Sequence, residues 1–349
     1  MRVIECSGTP YEIGKQIGEG CGDILHHSMK TTFAVLSRGY GNSTDEVIAT
    51  ASKFIEPVRE YDHILIEHLQ GQADAIAVPF EEMFALRCIF EMSYYYKQIQ
   101  GLCTSFAATG KATRDGKTIL GQNIDWLTTY EPYLLHMHYE DGTRLLALSL
   151  GGMVEYSMNS YGFGNCANSL FTKADPYCFS LPLGCYLPKV MRQSSIDEAA
   201  KLLKQVARGV GYFHLADRTG NMVGIESTFE EVEAVHPSNE LLFHANCYCT
   251  ERFKDRDMAA AILPDAFDRT KRIEELLLAQ HGNISVDTAK TILSDHAHSP
   301  YSICRHGAPN KPTAWEMTTV ASFIMVPEEG KMYIAKGSPC ENDYVEYTV

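Results

Sequence analysis

No Cys-x-x-Cys pair occurs in this 349-residue chain, although it holds 11 cysteines, at positions 6, 21, 88, 103, 166, 178, 185, 247, 249, 304 and 340. Their number is odd and they are scattered, which excludes a disulfide-framework scaffold and a redox dithiol motif and points to free thiols in a reducing compartment. Positive charge is also scarce. Lys and Arg number 30 against 44 Asp and Glu, the net charge is −14, and no basic block occurs. Nucleic acid is thereby excluded as a partner, because phosphate contacts need clustered cations. No apolar run reaches the length of a membrane-spanning helix. Met1 to Gly20 carries no apolar core of a secretory signal, and Glu346-Tyr347-Thr348-Val349 is no peroxisomal or retention address. These absences predict a cytoplasmic protein with no membrane and no nucleic-acid partner. Internal repeats and low-complexity segments are absent too. What remains is ordinary globular material, 45% hydrophobic and 21% charged, long enough for one large domain or two.

The pattern changes character near Cys103. Before it, helices are signalled. Thr9 is a candidate N-cap, Pro10 suits the first helical position, and Glu12 stands at capping-box spacing. Ser43-Thr44-Asp45-Glu46 opens a second, longer helix through Val47, Ile48, Phe54, Ile55, Val58, Ile64, Leu65 and Leu69. Val78-Pro79-Phe80-Glu81-Glu82 opens a third, running to the Tyr94-Tyr95-Tyr96 cluster. Residues 1–102 therefore read as a helical segment packed on a core of 103–349. In that core, strands are expected at 103–109, 117–123, 134–139, 144–149, 153–159 and 162–168, then helices at 183–192 and 195–207. Strands follow at 211–216, 221–227, 231–236 and 240–245, helices at 266–280 and 285–294, and a final hairpin of 319–325 with 331–335. Strand blocks alternating with helix pairs predict two stacked sheets between helix layers, an α+β architecture.

The densest chemistry lies in Cys103-Thr104-Ser105-Phe106 and Gly121-Gln122-Asn123-Ile124-Asp125-Trp126. Asp115-Gly116 suits a two-residue type I′ turn. Pairing about it returns Asn123 and Asp125 beside the start of the first strand. A cysteine at a strand head with an amide and a carboxylate delivered to it is a nucleophile arrangement. Further polar groups sit at expected strand ends or turns. Asn159 in Asn-Ser-Tyr-Gly reads as a turn residue. Asn168 and Asn246 end apolar runs, where an amide can donate to an oxyanion. Arg305 can bind a carboxylate with two parallel hydrogen bonds. His296, His298, Cys304 and His306 offer zinc-type donors, as do His244, Cys247 and Cys249. Neither set has the spacing of the usual structural sites, and Ser299-Pro300 interrupts the first, so no metal is expected. Asp295 and His296 also compete as part of a Cys-His dyad.

Taken in register, six motifs resemble the isopenicillin-N acyltransferase (acyl-coenzyme A:6-aminopenicillanate acyltransferase) family of N-terminal nucleophile hydrolases. They are Gly8-Thr9-Pro10-Tyr11-Glu12-Ile13-Gly14, Cys103-Thr104-Ser105, Gly121-Gln122-Asn123-Ile124-Asp125, Asn159-Ser160-Tyr161-Gly162, His244-Ala245-Asn246 and Pro300-Tyr301-Ser302-Ile303-Cys304-Arg305. The resemblance implies a four-layer αββα sandwich and a precursor that cuts itself at Leu102–Cys103. It implies Cys103 as nucleophile, Asp125 as active-site carboxylate and Asn246 and Asn168 on the oxyanion side. Arg305, Ser105 and Asn123 are then candidate substrate contacts. The substrate class is small N-acyl compounds, with no cofactor and a coenzyme A thioester as a candidate acyl donor. The two cleaved chains would stay associated, and a homo-oligomer is a candidate assembly. The sequence departs from the family's fungal pattern at Leu102, where that pattern has glycine, and at Ser105, which replaces threonine; the rival readings are an unprocessed, non-catalytic small-molecule binding member of the same fold and, after it, a zinc-dependent hydrolase using the His/Cys clusters.

Overall fold

The computed structural model describes residues 1–38, 42–95, 101–173, 181–207, 211–307 and 317–349. Tyr96 and Cys178 lie outside the described residues. The chain opens with a strand, β1 (Val3–Gly8), which the helical reading of the first segment did not include. It leads into α1 (Pro10–Arg38), bent at Cys21, where the backbone leaves the helical region. The start of α1 is fixed as its sequence predicts. The Glu12 amide donates to Thr9 Oγ1 and the Thr9 amide donates back to Glu12 Oε2, at 3.3 and 2.9 Å. Ser43 and Glu46 form the same reciprocal cap on α2 (Thr44–Ala51). The long second helix is broken into α2, a 3-10 turn at Ser52–Phe54, α3 (Ile55–Tyr61) and α4 (His63–Ile76). Pro57 explains the first break, since proline has no amide to continue a helix and is tolerated only in a first turn. Then come α5 (Phe80–Arg87) and α6 (Ile89–Tyr95).

The strand-rich part begins with β2 (Leu102–Gly110), β3 (Gly116–Trp126), β4 (Pro132–Tyr139), β5 (Arg144–Leu150), β6 (Val154–Asn159) and β7 (Phe163–Ser169). Two helices follow, α7 (Leu183–Met191) and α8 (Ile196–Val206), the second capped by Ser195. Next are β8 (Gly211–Asp217), β9 (Met222–Ser227), β10 (Val232–Val235) and β11 (Leu241–His244). The short α9 (Ala259–Ile262) precedes α10 (Asp265–Ala279) and α11 (Val286–Leu293). The described chain closes with β12 (Thr318–Val326), β13 (Lys331–Lys336) and β14 (Val345–Thr348), the last an exposed strand that the sequence pattern does not announce.

Two sheets result. One has eight strands in the order β1-β4-β5-β6-β7-β8-β9-β10; the other has six, β11-β2-β3-β12-β13-β14. Among the described strands all pairings are antiparallel except β1 on β4, which is parallel. The sheets face each other where β2 and β3 pack on β7. Helices α1, α7 and α8 cover the outside of the larger sheet, and α10 and α11 cover the smaller. The expected α+β sandwich with four layers is therefore the fold. One apolar cluster runs from Ile13 and Leu25 of α1 through Leu134 and Leu148 to Cys103, Leu120 and Ile124, so the first hundred residues share a core with the larger sheet. Among the described residues no helix is long and apolar enough to cross a membrane.

Candidate active site

The β2–β3 hairpin sets the geometry, but not through the expected turn. The loop is Lys111–Asp115, closed by Gly110 opposite Gly116, with a register shift between Ala108 and Gly110. The loop residues have partners elsewhere, which is why the tight turn does not form. The Arg114 amide donates to Ile284 O at 2.9 Å, and the Lys111 amide to Glu240 Oε2 at 2.7 Å. A two-residue turn at Asp115-Gly116 would have set Cys103 opposite Thr128. The observed register sets Cys103 opposite Ile124 and Leu102 opposite Asp125.

Side chains alternate across a strand, so Cys103 and Asp125 leave opposite faces of the sheet. The Cys103 thiol lies between the sheets with Leu120 and Ile124 and meets the side chains of Gln122 and Tyr156. Asp125 lies on the helix-covered face, where Thr319 donates to its Oδ1 at 2.7 Å. Its Oδ2 has no hydrogen-bond partner among the described residues. What the two residues share is the backbone of residue 103, which sits in the plane of the sheet between them.

That backbone is held on both polar atoms. β11 pairs His244 with Ser105, so Asn246, two residues on, falls opposite Cys103. Its side chain takes the place of a ladder partner: the Cys103 amide donates to Asn246 Oδ1 at 3.1 Å. Arg269, from α10, donates to the Cys103 carbonyl at 2.9 Å and to the same Asn246 oxygen at 2.9 Å. Asn246 Nδ2 donates to Ser169 O at 2.8 Å. Asn246 therefore presents an acceptor, not a donor, to residue 103. Asn168 stands one step along β2, accepting from Ser105 Oγ at 2.6 Å and donating to His244 O.

A buried charge relay supports this end of β2. Asp265 Oδ2 accepts from Arg269 Nε at 3.0 Å and from an Arg305 terminal nitrogen at 2.8 Å. All three side chains are buried. Burial alone would raise the Asp265 carboxyl, but the two guanidinium groups hold it below its ordinary value. Asp125 is different. Burial pushes it up to about 6 even though Arg269 and Arg305 pull the other way. Burial and the neighbouring Asp125 push the Cys103 thiol up to about 12.

The predicted residues thus divide. Leu102, Cys103, Asp125, Asn246 and Arg305 converge on one strand end. Ser105 and Asn168 form a neighbouring pair. Asn123 leaves the same helix-covered face as Asp125 but is engaged elsewhere, its amide donating to Leu293 O and Ile303 O at 2.8 Å each, and it ties β3 to α11 and to the segment carrying Arg305. Asn159 is the expected turn residue, accepting from the Tyr161 and Phe163 amides. Asp295 pairs with Arg272, and His296 faces His306, so neither forms a dyad with Cys103. His244 is a buried partner of Glu226 at 3.0 Å, stacked on Tyr212. Sequence reasoning missed Arg269, Asp265, Thr319, Gln122 and Tyr156. The Asp265–Arg269 spacing of four on a helix was a signal, but that spacing is common on solvated helices.

A cleft of about 960 Å³ opens beside the site, lined by residues including Asp23, His27, Tyr130, Thr319, His306 and Ser338. It touches the network through Thr319, the donor to Asp125. Cys103 itself is only 3% exposed.

On this two-sheet α+β sandwich the candidate site gathers a buried thiol, a carboxylate raised to about 6 and a clamped backbone amide, and the family match puts the chain in the amide-hydrolase and acyl-transfer class. The chain belongs to the acyl-coenzyme A:6-aminopenicillanic acid acyl-transferase family, whose profile matches residues 112–341, beginning downstream of Cys103. Among solved structures, a mutant of conjugated bile acid hydrolase from Clostridium perfringens is similar at 15% identity and a TM-score of 0.47, covering 71% of this chain and 97% of that one. Penicillin V acylase from Agrobacterium tumefaciens is similar at 11% identity and a TM-score of 0.42, covering 67% and 83%.

Proposed function

We propose that this chain is the precursor of a cysteine N-terminal nucleophile enzyme that cuts itself at Leu102–Cys103 and then hydrolyses or transfers the acyl group of small N-acyl compounds. The observation that carries the reading is the clamp on residue 103. Its nitrogen, the atom that becomes the new N-terminus, is held at 3.1 Å by Asn246, beside a carboxylate with an unpartnered oxygen.

In the precursor step the Cys103 sulfur attacks the Leu102 carbonyl carbon. The C–N bond breaks as the nitrogen takes up a proton, leaving a thioester that water opens to a Leu102 carboxylate and a free thiol. The product carries an α-amine, whose ordinary pKa is about 7.7–8. That amine serves as general base for its own thiol, which burial otherwise keeps protonated. Asp125 and the Asn246 oxygen are placed to orient the amine and to stabilise its protonated form. In turnover the thiolate attacks the substrate carbonyl, the leaving amine is protonated by the α-ammonium, and a thioester acyl-enzyme passes its acyl group to water or to an acceptor amine. A coenzyme A thioester is a second donor class for the same step. With the Asn246 and Asn168 amide nitrogens both engaged by backbone carbonyls, their expected oxyanion role requires those bonds to exchange.

A second reading rests on Leu102. It is fully buried in the β2–β3 ladder and packs on Phe171, Leu263 and Met317. An intact ladder at the scissile bond suits an uncut, non-catalytic binding member of the fold. Denaturing intact mass decides between the two. Fragments of 102 and 247 residues, with Cys103 at the new N-terminus, are expected, and Cys103→Ala should give one uncut chain without amidase activity. A wild-type chain that stays whole would move the binding reading ahead.

A further inference from the structure

Beside the segment that carries Arg305, three chain segments bring four metal-type donors to one point. His296 follows α11, Cys304 and His306 flank Arg305, and Cys340 sits in the β13–β14 connection. Their donor atoms all lie within 4.8 Å of one another. Cys304 Sγ is 3.5 Å from Cys340 Sγ and 3.7 Å from His306 Nε2. Cys340 Sγ is 3.5 Å from His306 Nε2, and the two histidine Nε2 atoms are 3.0 Å apart.

From these distances we infer a structural zinc site made by His296, Cys304, His306 and Cys340. Zinc binds thiolate sulfur at about 2.3 Å and imidazole nitrogen at about 2.0–2.1 Å in a tetrahedron, so its ligand atoms stand about 3.8 Å apart for two sulfurs, about 3.6 Å for a mixed pair and about 3.4 Å for two nitrogens. The four spacings given above agree with these values to within a few tenths of an ångström, and the two from His296 to the cysteines are no longer than 4.8 Å. Hydrogen bonds can join these groups in pairs, but one central ion accounts for all four donor atoms converging on the same point. A disulfide would bring the sulfurs to about 2.05 Å, and both cysteines are free. The set is borderline-soft nitrogen and sulfur, which favours zinc over the oxygen-seeking cations.

The donors are positioned before any ion arrives. The Cys304 amide donates to Asp295 O at 3.0 Å, the His306 amide to Pro300 O at 2.9 Å, and the Glu341 amide to Ser338 O at 3.1 Å. Four protein ligands close the tetrahedron and leave no position for a water, so the ion is a clip, not a catalyst. What it clips is the segment carrying Arg305. The Arg305 carbonyl is bound by Thr319 and Thr318, and its guanidinium binds Asp265. The sequence spacing hid this site because His298, the expected member, stands outside the group, and Cys340 enters it from far along the chain.

The test of this site reads metal, not turnover. Protein purified without chelator and with thiols reduced is expected to hold about one zinc per chain by elemental analysis. His296 and Cys340 are exposed, so His296→Gln and Cys340→Ser should fold, with unchanged far-ultraviolet circular dichroism, and should each lose most of the zinc. Cobalt(II) loaded in its place should show thiolate charge-transfer absorption that Cys340→Ser weakens. Three results would overturn the assignment: no zinc retained after loading with Zn²⁺ alone, zinc retained in full by both variants, or a Cys304–Cys340 disulfide in protein prepared without air.

Discussion

Asp125 is where single-residue electrostatics can be tested most directly. Burial raises its carboxyl to about 6, against the pull of Arg269 and Arg305. An unfolded aspartate titrates near 3.9, so between about pH 4 and 6 the folded protein binds a proton that the unfolded chain releases. The stability linked to Asp125 is therefore present in full below about pH 4 and is lost as pH rises to about 6. Asp125→Asn should remove that loss. In urea denaturation its stability relative to wild type should improve from pH 4 to pH 7.5, by at most roughly 3 kcal/mol for a shift of about two units. A constant difference between the two pH values would show that Asp125 does not titrate in this window. Turnover should run the other way: in the cut enzyme the new α-ammonium beside Asp125 holds its carboxyl below the value of the uncut chain, so kcat/KM should rise with pH through a point below about 6, and Asp125→Asn is slow and loses that limb.

Between elements, α1 and α4 cross with backbone close to backbone. A methyl added at Gly14 would come within 2.0 Å of the His68 carbonyl oxygen, and one at Gly71 within 2.2 Å of the Tyr11 carbonyl oxygen. Backbone meets backbone there, so nothing soft can give way. Gly14→Ala and Gly71→Ala should each destabilise by about 1–3 kcal/mol or more through overpacking, outweighing the helix-propensity gain of up to about 1 kcal/mol. Gly22→Ala, which meets a side chain and no backbone, the Ile76 Cγ2 methyl at 2.9 Å, should cost less. Thermal unfolding of the three variants checks the order, and a Gly14→Ala protein as stable as wild type would contradict this account of the crossing.

Across the whole molecule, the two sheets are joined by more than apolar contact. Gln122, on β3 of the smaller sheet, donates to Ala167 O at 2.8 Å and accepts from the Ala167 amide at 3.0 Å, on β7 of the larger one. The amide side chain thus acts as a ladder rung between layers, placed where it also meets the Cys103 thiol. Gln122→Leu leaves a buried donor and a buried acceptor on Ala167 without these bonds. Each such orphan costs about 1–3 kcal/mol, so a loss of roughly 2–6 kcal/mol is expected in denaturant unfolding. Near-neutral stability would mean that β7 finds other partners when the rung is removed.

The sequence by itself determined the local facts. Thr9 with Glu12 and Ser43 with Glu46 announced their helices, because a capping box needs only residues three apart. Alternation and turn residues placed the strands of the core to within a few residues, and the order of Cys103, Asp125, Asn246 and Arg305 marked the candidate site. Only the tertiary structure decided what depends on distant partners. Glu240 and Ile284 hold the β2–β3 loop open and so shift its register from Thr128 to Ile124 opposite Cys103. The pleat then sends the thiol and the carboxylate to opposite faces. β1 and β14 exist because β4 and β13 offer them open edges, a fact no local pattern carries. Arg269 and Asp265 became part of the site through the docking of α10 on β2, and Cys340 joined His296, Cys304 and His306 through the path of the β13–β14 connection. Periodicity and capping act within a few residues along the chain, whereas registers, buried charges and converging donor atoms are set by segments that meet only when the sheets close.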